Sequence, residues 1–165
     1  MPEAEMKTAV ITVSTSVAGG QGEDESGPKL AALLEEAGCQ VTGVEVVADD
    51  REAIEKLLRE LVAGDVRFIF TTGGTGLTPD DVTPEATDAV IDRRADGFQQ
   101  AMLAEGMKHQ RLALLTRGVS GIAGQTLIVN LPGNPKAIDQ LVPVLAPALN
   151  HAADSLVRGW EDGGA

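Results

Sequence analysis

Short apolar runs and amphipathic helical segments take turns along this chain, and that alternation leaves few folds open. Thr8–Ser14 reads as a first strand. Ser26-Gly27-Pro28 then opens a helix with proline suited to its first position; Leu30, Leu33, Leu34 and Ala37 keep helical spacing, and Gly38 ends it. Val41–Val47 is a second strand, after which Ile54, Leu57, Leu58, Leu61 and Val62 recur at helical spacing until Gly64. Val66–Thr71 is a third strand. This βαβαβ order predicts an α/β fold, a three-layer sandwich in which a mainly parallel sheet has helices on both faces.

Further along, the pattern predicts a helix from Pro84 to about Asp92 and a less regular one over Gly97–Glu105. Two more strands, Leu112–Thr116 and Thr126–Leu131, flank a glycine-spaced loop from Gly118 to Gly124. Asn134 and Pro135 start a last helix, which Pro143 and Pro147 are expected to kink. Met1–Met6 and Gly159–Ala165 read as frayed ends, giving one domain over residues 1–165 with an ordered core of about 7–158.

Composition narrows the function. The net charge of −12 provides no basic stripe to displace counterions, and aromatics at 2% provide no stacking platform, so nucleic acid is an unsuitable partner. One cysteine, Cys39, cannot form an internal disulfide, which fits a reducing compartment. No leader or membrane span is evident, and the chain reads as cytoplasmic.

Thr71-Thr72-Gly73-Gly74-Thr75-Gly76-Leu77-Thr78-Pro79-Asp80-Asp81-Val82-Thr83-Pro84-Glu85 carries the most chemistry. Three glycines in four residues admit a close neighbour or a positive φ, and two adjacent carboxylates precede a helix start. The combination suits a phosphate-bearing ligand handled with a hard cation. It is not a P-loop, which needs a lysine here, nor a dinucleotide fingerprint, because Pro79 stands at the third glycine position.

In a parallel sheet, ligands bind at the carboxyl ends of the strands. Ser14, Asp49, Gly73–Asp81 and Pro132-Gly133-Asn134-Pro135 all fall there, so four loops converge on one edge. Each residue also has a plain structural reading. Asp49 or Asp50 caps the following helix, with Glu52 completing a capping box, and Thr83 is a good cap before Pro84. Thr75, Thr83 and Ser120 could bind a phosphate oxygen or simply satisfy nearby backbone. Asn134 caps the last helix, whose exposed amides, with Lys136, also make an anion site. His109 and His151 are isolated, and Glu23-Asp24-Glu25 reads as solvated surface.

Ser26-Gly27-Pro28, TTGGTGLTPDDVTPEAT (71–87) and LIVNLPGNPKA (127–137) together resemble the MogA/MoaB family, from about Ala9 to about Val157. Its members are molybdopterin adenylyltransferases of molybdenum-cofactor biosynthesis, related to the G domain of gephyrin. The resemblance implies a reaction that joins the terminal phosphate of molybdopterin to AMP from Mg-ATP, releasing pyrophosphate, in a homotrimer. It implies that Asp81 and Asp49 are the functional aspartates, holding Mg²⁺ and orienting phosphates. It places Gly73, Gly74, Thr75, Gly76, Thr83, Thr116, Pro132 and Gly133 against substrate, to which the reading of the residues themselves adds Ser14, Ser120 and Asn134. A phosphate monoester is already mostly ionised near neutral pH, so neither aspartate needs to abstract a proton.

Three positions depart from the pattern. Asp80 stands where many members have arginine, Thr15 where many have aspartate, and Thr116 where many have a substrate-contacting serine. Asp80 motivates an alternative, a catalytically weak carrier or scaffold that binds molybdopterin. A third reading, hydrolysis of a nucleotide pyrophosphate as in CinA-like proteins, lacks the additional domain expected for it.

Overall fold

The structure, a computed structural model, describes residues 4–160. Its elements run β1 (Lys7–Val13), α1 (Thr15–Ala18), α2 (Ser26–Glu36), β2 (Gln40–Val47), α3 (Arg51–Ala63), β3 (Phe68–Thr72), α4 (Thr83–Asp88), β4 (Arg93–Arg94), α5 (Gly97–His109), a 3₁₀ helix (Arg111–Leu115), β5 (Ser120–Ala123), β6 (Thr126–Leu131) and α6 (Pro135–Val157). The six strands form one sheet in the order β2-β1-β3-β6-β5-β4. The first four are mutually parallel, and β5 and β4 continue the sheet antiparallel.

Side chains alternate between the faces of a strand, so a strand covered on both sides must be apolar at every position. The central strands follow this except at Thr8, Thr12, Thr71, Thr72, Thr126 and Asn130, whose buried polar side chains all find hydrogen-bond partners inside the protein. Val10, Phe68, Phe70, Leu127, Val129 and Leu131 face α2, α5 and α6, whereas Ala9, Ile11, Val13, Ile69 and Ile128 face α3 and α4. The predicted sandwich is therefore the observed one. Leu30 and Leu34 of α2, Ile54 and Leu58 of α3, and Ile138 and Leu149 of α6 are completely buried, each contributing about 1.5–3 kcal/mol.

Helix ends follow local chemistry. Gly38, at φ +98°, closes α2 with bonds from its own amide to the Glu35 carbonyl and from the Cys39 amide to that of Leu34, a Schellman arrangement. Asp50 accepts from the Ala53 amide and so caps α3, which leaves Asp49 unused as a cap and Glu52 outside any capping box. Asn134 caps α6 through the Lys136 amide. Pro143 and Pro147 lie on the exposed side of α6 and do not end it.

Several expectations need correction. Leu112–Thr116 is not a strand: Arg111–Leu115 is a 3₁₀ helix. The run contains no β-branched residue before Thr116, and the place beside β6 is taken by β5, inside the segment expected to be loop. Gly124, at φ +60°, makes the tight β5–β6 hairpin possible. Helix α4 stops at Asp88, short of Asp92, because the Asp92 and Ala95 amides turn to the Ile122 and Ser120 carbonyls, where β4 pairs with β5. The loop after β1 holds the short helix α1, capped by Ser14. Met6 is buried rather than frayed, and the Ala4 amide donates to Asp154. Residues 1–3 and 161–165, also read as frayed, lie outside the described residues. Among the described residues no helix is long and apolar enough to cross a membrane.

Candidate functional site

A cavity of about 590 Å³ opens at the carboxyl ends of β3 and β6. Its polar wall is the loop after β3 and the turn after β6; its apolar wall comes from α5, the 3₁₀ helix and α6, through residues such as Met102, Leu115 and Leu141.

The glycine loop is fixed at both ends by buried polar groups. Asn130, 1% exposed on β6, donates through Nδ2 to Thr71 Oγ1 and Thr87 Oγ1, each at 3.0 Å, and accepts from the Val119 amide at 3.0 Å. One fully engaged amide thus ties β3, α4 and the segment before β5 together. The Thr83 hydroxyl donates to the Gly73 carbonyl, and the Thr83 amide to that of Gly74. Thr83 is therefore an anchor inside the protein, with Val82 in the cap position instead.

The glycines are required by close approach. A Cβ on Gly73, where φ is +100°, would lie 2.3 Å from the Val13 carbonyl oxygen at the end of β1. One on Gly74 would lie 2.3 Å from Thr83 Oγ1 and 3.2 Å from Asp49 Oδ1, and one on Gly76 2.8 Å from Asp81 Oδ2. Both aspartates therefore abut the glycine loop, Asp49 beside Gly74 and Asp81 beside Gly76.

The two carboxylates are held alike. Asp49 Oδ2 accepts from the Thr15 amide at 3.1 Å and its hydroxyl at 2.9 Å. Asp81 Oδ2 accepts from the Thr78 amide at 3.0 Å and its hydroxyl at 2.9 Å. In each, Oδ1 takes no hydrogen bond among the described residues. Thr15 thus orients Asp49 with two neutral donors.

Arg117 went unnoticed in the sequence. Its Nε donates to the Gly76 carbonyl and Nη2 to the Asp81 carbonyl, both at 2.8 Å, while Nη1 meets Glu85 Oε2 at 2.7 Å. The hydrogen bond from Arg117 is the main cause that holds the Glu85 carboxyl below the usual range, and it raises the guanidinium in return. Only the bare fact of a cation near the second glycine cluster signalled it. Gln99, also missed, lines the cavity and donates to Ser120 Oγ and the Asn130 carbonyl.

Gly73, Gly74, Thr75, Gly76, Asp81, Thr116, Pro132, Gly133 and Asn134 come together in the cavity wall. Lys136 and His109 join them; the described neighbours of His109 include Glu105 at 3.5 Å. Ser14 and Asp49 lie off the cavity at the ends of β1 and β2, where the Ser14 amide bonds the Val47 carbonyl. Ser120 is a correction: fully buried on β5, it receives Gln99 and presents nothing to a ligand. Asp24 is another, for it is not free surface. It joins Thr12 Oγ1 to the Gly27 amide, while Ser26 Oγ donates to the Gly133 carbonyl and steadies the turn after β6.

No group of three or more metal-binding side chains occurs among the described residues. Hard carboxylates with one unengaged oxygen each nevertheless match Mg²⁺, which is usually held by one or two carboxylates plus substrate phosphates.

The sequence pattern of the family described as "Probable molybdopterin binding domain" matches residues 9–151. A molybdopterin adenylyltransferase of Haemophilus influenzae is 39% identical over 157 residues, covering 93% of this chain and 78% of that protein. Gephyrin of Dictyostelium discoideum is 38% identical over 160 residues, 91% of this chain but 22% of gephyrin. The chain spans less than half of the longer curated relatives, including 47% of a molybdenum cofactor biosynthesis bifunctional protein of Chlorobaculum tepidum. Among solved structures, the molybdopterin biosynthesis Mog protein of Mycobacterium ulcerans superimposes with a TM-score of 0.85 at 40% identity, covering 91% of this chain and 98% of that one.

Proposed function

This chain belongs to the MogA/MoaB family of molybdenum-cofactor biosynthesis proteins, and from that premise we propose that it adenylylates molybdopterin with Mg-ATP and releases pyrophosphate. The observation that carries the reading is the pair Asp49 and Asp81, each clamped by a threonine through Oδ2 with Oδ1 left open, both abutting the glycine loop, Asp81 in the cavity wall and Asp49 beside Gly74.

Bringing a phosphate monoester against the α-phosphate of ATP is opposed chiefly by like charge and by the need for alignment. Asp81 and Asp49 would hold Mg²⁺ through Oδ1. The ion would neutralise phosphate charge and align the groups for displacement. The Gly74–Gly76 amides, Thr75 and the Pro132-Gly133-Asn134 turn at the start of α6 would cradle phosphates, because unpaired amides attract anions, as at a helix N-terminus. Thr116, in the cavity wall with its hydroxyl accepting from the Gly118 amide, would contact the pterin beside the apolar wall. Ser14 would act at the β1 end near Asp49. Thr83 and Ser120 act instead by holding the loop and Gln99.

The test is pyrophosphate release from Mg-ATP by the purified protein with molybdopterin. Release dependent on both substrates is expected. Tight molybdopterin binding without release would favour the carrier reading, for which Asp80, exposed on the loop, is the structural motive.

The protein is further proposed to be cytoplasmic and a homotrimer. Met107 on α5 and Leu114 on the adjoining 3₁₀ helix lie outside the cavity wall and are exposed, at 43% and 59%, which suits burial against another copy. Sedimentation analysis is expected to give three times the chain mass, and Leu114→Asp to lower it. A monomeric wild type at micromolar concentration refutes the trimer.

A further inference from the structure

Residues 73–82 form neither helix nor strand, and Leu77, Thr78, Pro79 and Asp80 are all exposed. A segment like that wanders unless something outside it holds it. Its internal bonds are short-range: Asp81 to Thr78, and Thr83 back to Gly73 and Gly74. From outside the β3–α4 segment, every hydrogen bond that reaches residues 75–82 among the described residues comes from Arg117. Its amide meets the Thr75 carbonyl at 2.8 Å, Nε the Gly76 carbonyl and Nη2 the Asp81 carbonyl.

We propose that Arg117 is a positioning residue: one guanidinium, fixed by Glu85 on α4, clamps both feet of the Gly76–Asp81 arch and thereby sets the Asp81 carboxylate for the reaction.

The geometry argues against a direct role on phosphate. Four N–H directions are already used, two on loop carbonyls and two on Glu85 Oε1 and Oε2, and the Glu85 charge balances the cation. Arg117 is also absent from the cavity wall. A planar fork is what the arrangement needs, because its nitrogens must reach two carbonyls and a carboxylate at fixed angles, which a lysine ammonium cannot do together. The arch gains order, and Asp81 gains a fixed backbone beneath a side chain already oriented by Thr78.

The activity Arg117 supports is the one proposed above, so the test includes a measurement that needs no turnover. Amide hydrogen exchange over residues 76–82 is compared in the wild type, Arg117→Met, Arg117→Lys and Glu85→Gln. Pyrophosphate release is followed against Mg²⁺ concentration in the same proteins. Arg117→Met is expected to speed exchange in the arch while leaving β3 and β6 protected, and to raise the Mg²⁺ concentration for half-maximal release about tenfold. Arg117→Lys, the fallback should Arg117→Met fold poorly, is expected to restore stability but not the arch or the Mg²⁺ response. Glu85→Gln should move both readings in the same direction by less, and the double variant should be no worse than Arg117→Met.

Unchanged arch exchange in Arg117→Met overturns the proposal. So does a fall in release with the Mg²⁺ response unaltered, which would make Arg117 merely structural. Greater release from Glu85→Gln also overturns it, because the freed guanidinium would then be acting on phosphate. A wild type that releases no pyrophosphate defeats the adenylyltransferase reading instead, and the exchange comparison still decides whether the clamp exists.

Discussion

Asp81→Asn is expected to lower pyrophosphate release about 100- to 1,000-fold, while barely changing the unfolding temperature. A carboxylate that holds a metal ion against phosphates contributes several kcal/mol to the barrier, and each 1.36 kcal/mol is a factor of ten. Stability should survive because the Asp81 side chain is bonded to the loop only through Oδ2, which accepts from the Thr78 amide and hydroxyl, while its backbone bonds to Arg117 and Thr78 are unchanged by the substitution. An asparagine carbonyl oxygen can accept both bonds. Its amide nitrogen then replaces Oδ1, the oxygen without a hydrogen-bond partner among the described residues, so the substitution removes charge and a ligand atom but leaves the fold. Asp49→Asn is expected to behave alike, since Thr15 holds its Oδ2 in the same way. Release assays beside thermal unfolding check both. An Asp81→Asn protein with most of its release and an unchanged Mg²⁺ dependence refutes the role given to Asp81.

Asp81 was readable because its signal is local: three glycines, an acidic pair and a helix start fall within fifteen consecutive residues. Periodicity likewise exposed β1, β3, α2 and α3, where burial on one stripe or both faces imposes a regular pattern. Reading failed where tertiary competition decided. The Leu112–Thr116 run is apolar enough for a strand, but β5 holds the sheet position and leaves those leucines outside. Ser120 looked like a loop hydroxyl because its strand is only four residues long and sits within the glycine-spaced segment from Gly118 to Gly124. The largest omission was Arg117, whose partners Gly76, Asp81 and Glu85 lie 32–41 residues earlier in the chain. Sequence spacing carries no trace of such a contact. Asp49 occupied the middle ground: the adjacent Asp50 made its release from capping conceivable, and only the bonds from Thr15 show what it does instead.

Gly73→Ala should be severely damaging, for the added methyl group meets two obstacles at once. At φ +100° an alanine is strained, by about 1–2 kcal/mol. Its Cβ would also sit 2.3 Å from the Val13 carbonyl, which belongs to a central strand and cannot move freely. Forcing that contact apart adds about 1–3 kcal/mol. A total of about 2–5 kcal/mol corresponds to a fall of roughly 5–15 °C in the unfolding temperature for a chain of this size. Gly124→Ala is the control, since Gly124 has φ +60° but nothing within 4 Å of its Cβ position, so it carries the strain alone. The gap between the two variants isolates the steric part. Activity should fall further than stability in Gly73→Ala, because the Gly73 amide bonds the Leu131 carbonyl and its carbonyl receives Thr83. Displacing that one residue separates the ends of β1, β3 and β6, which together position Asp49, Asp81 and the turn at Pro132. If Gly73→Ala and Gly124→Ala lose the same stability, close approach to β1 is not what demands glycine at this corner, and the geometric basis of the loop is mistaken.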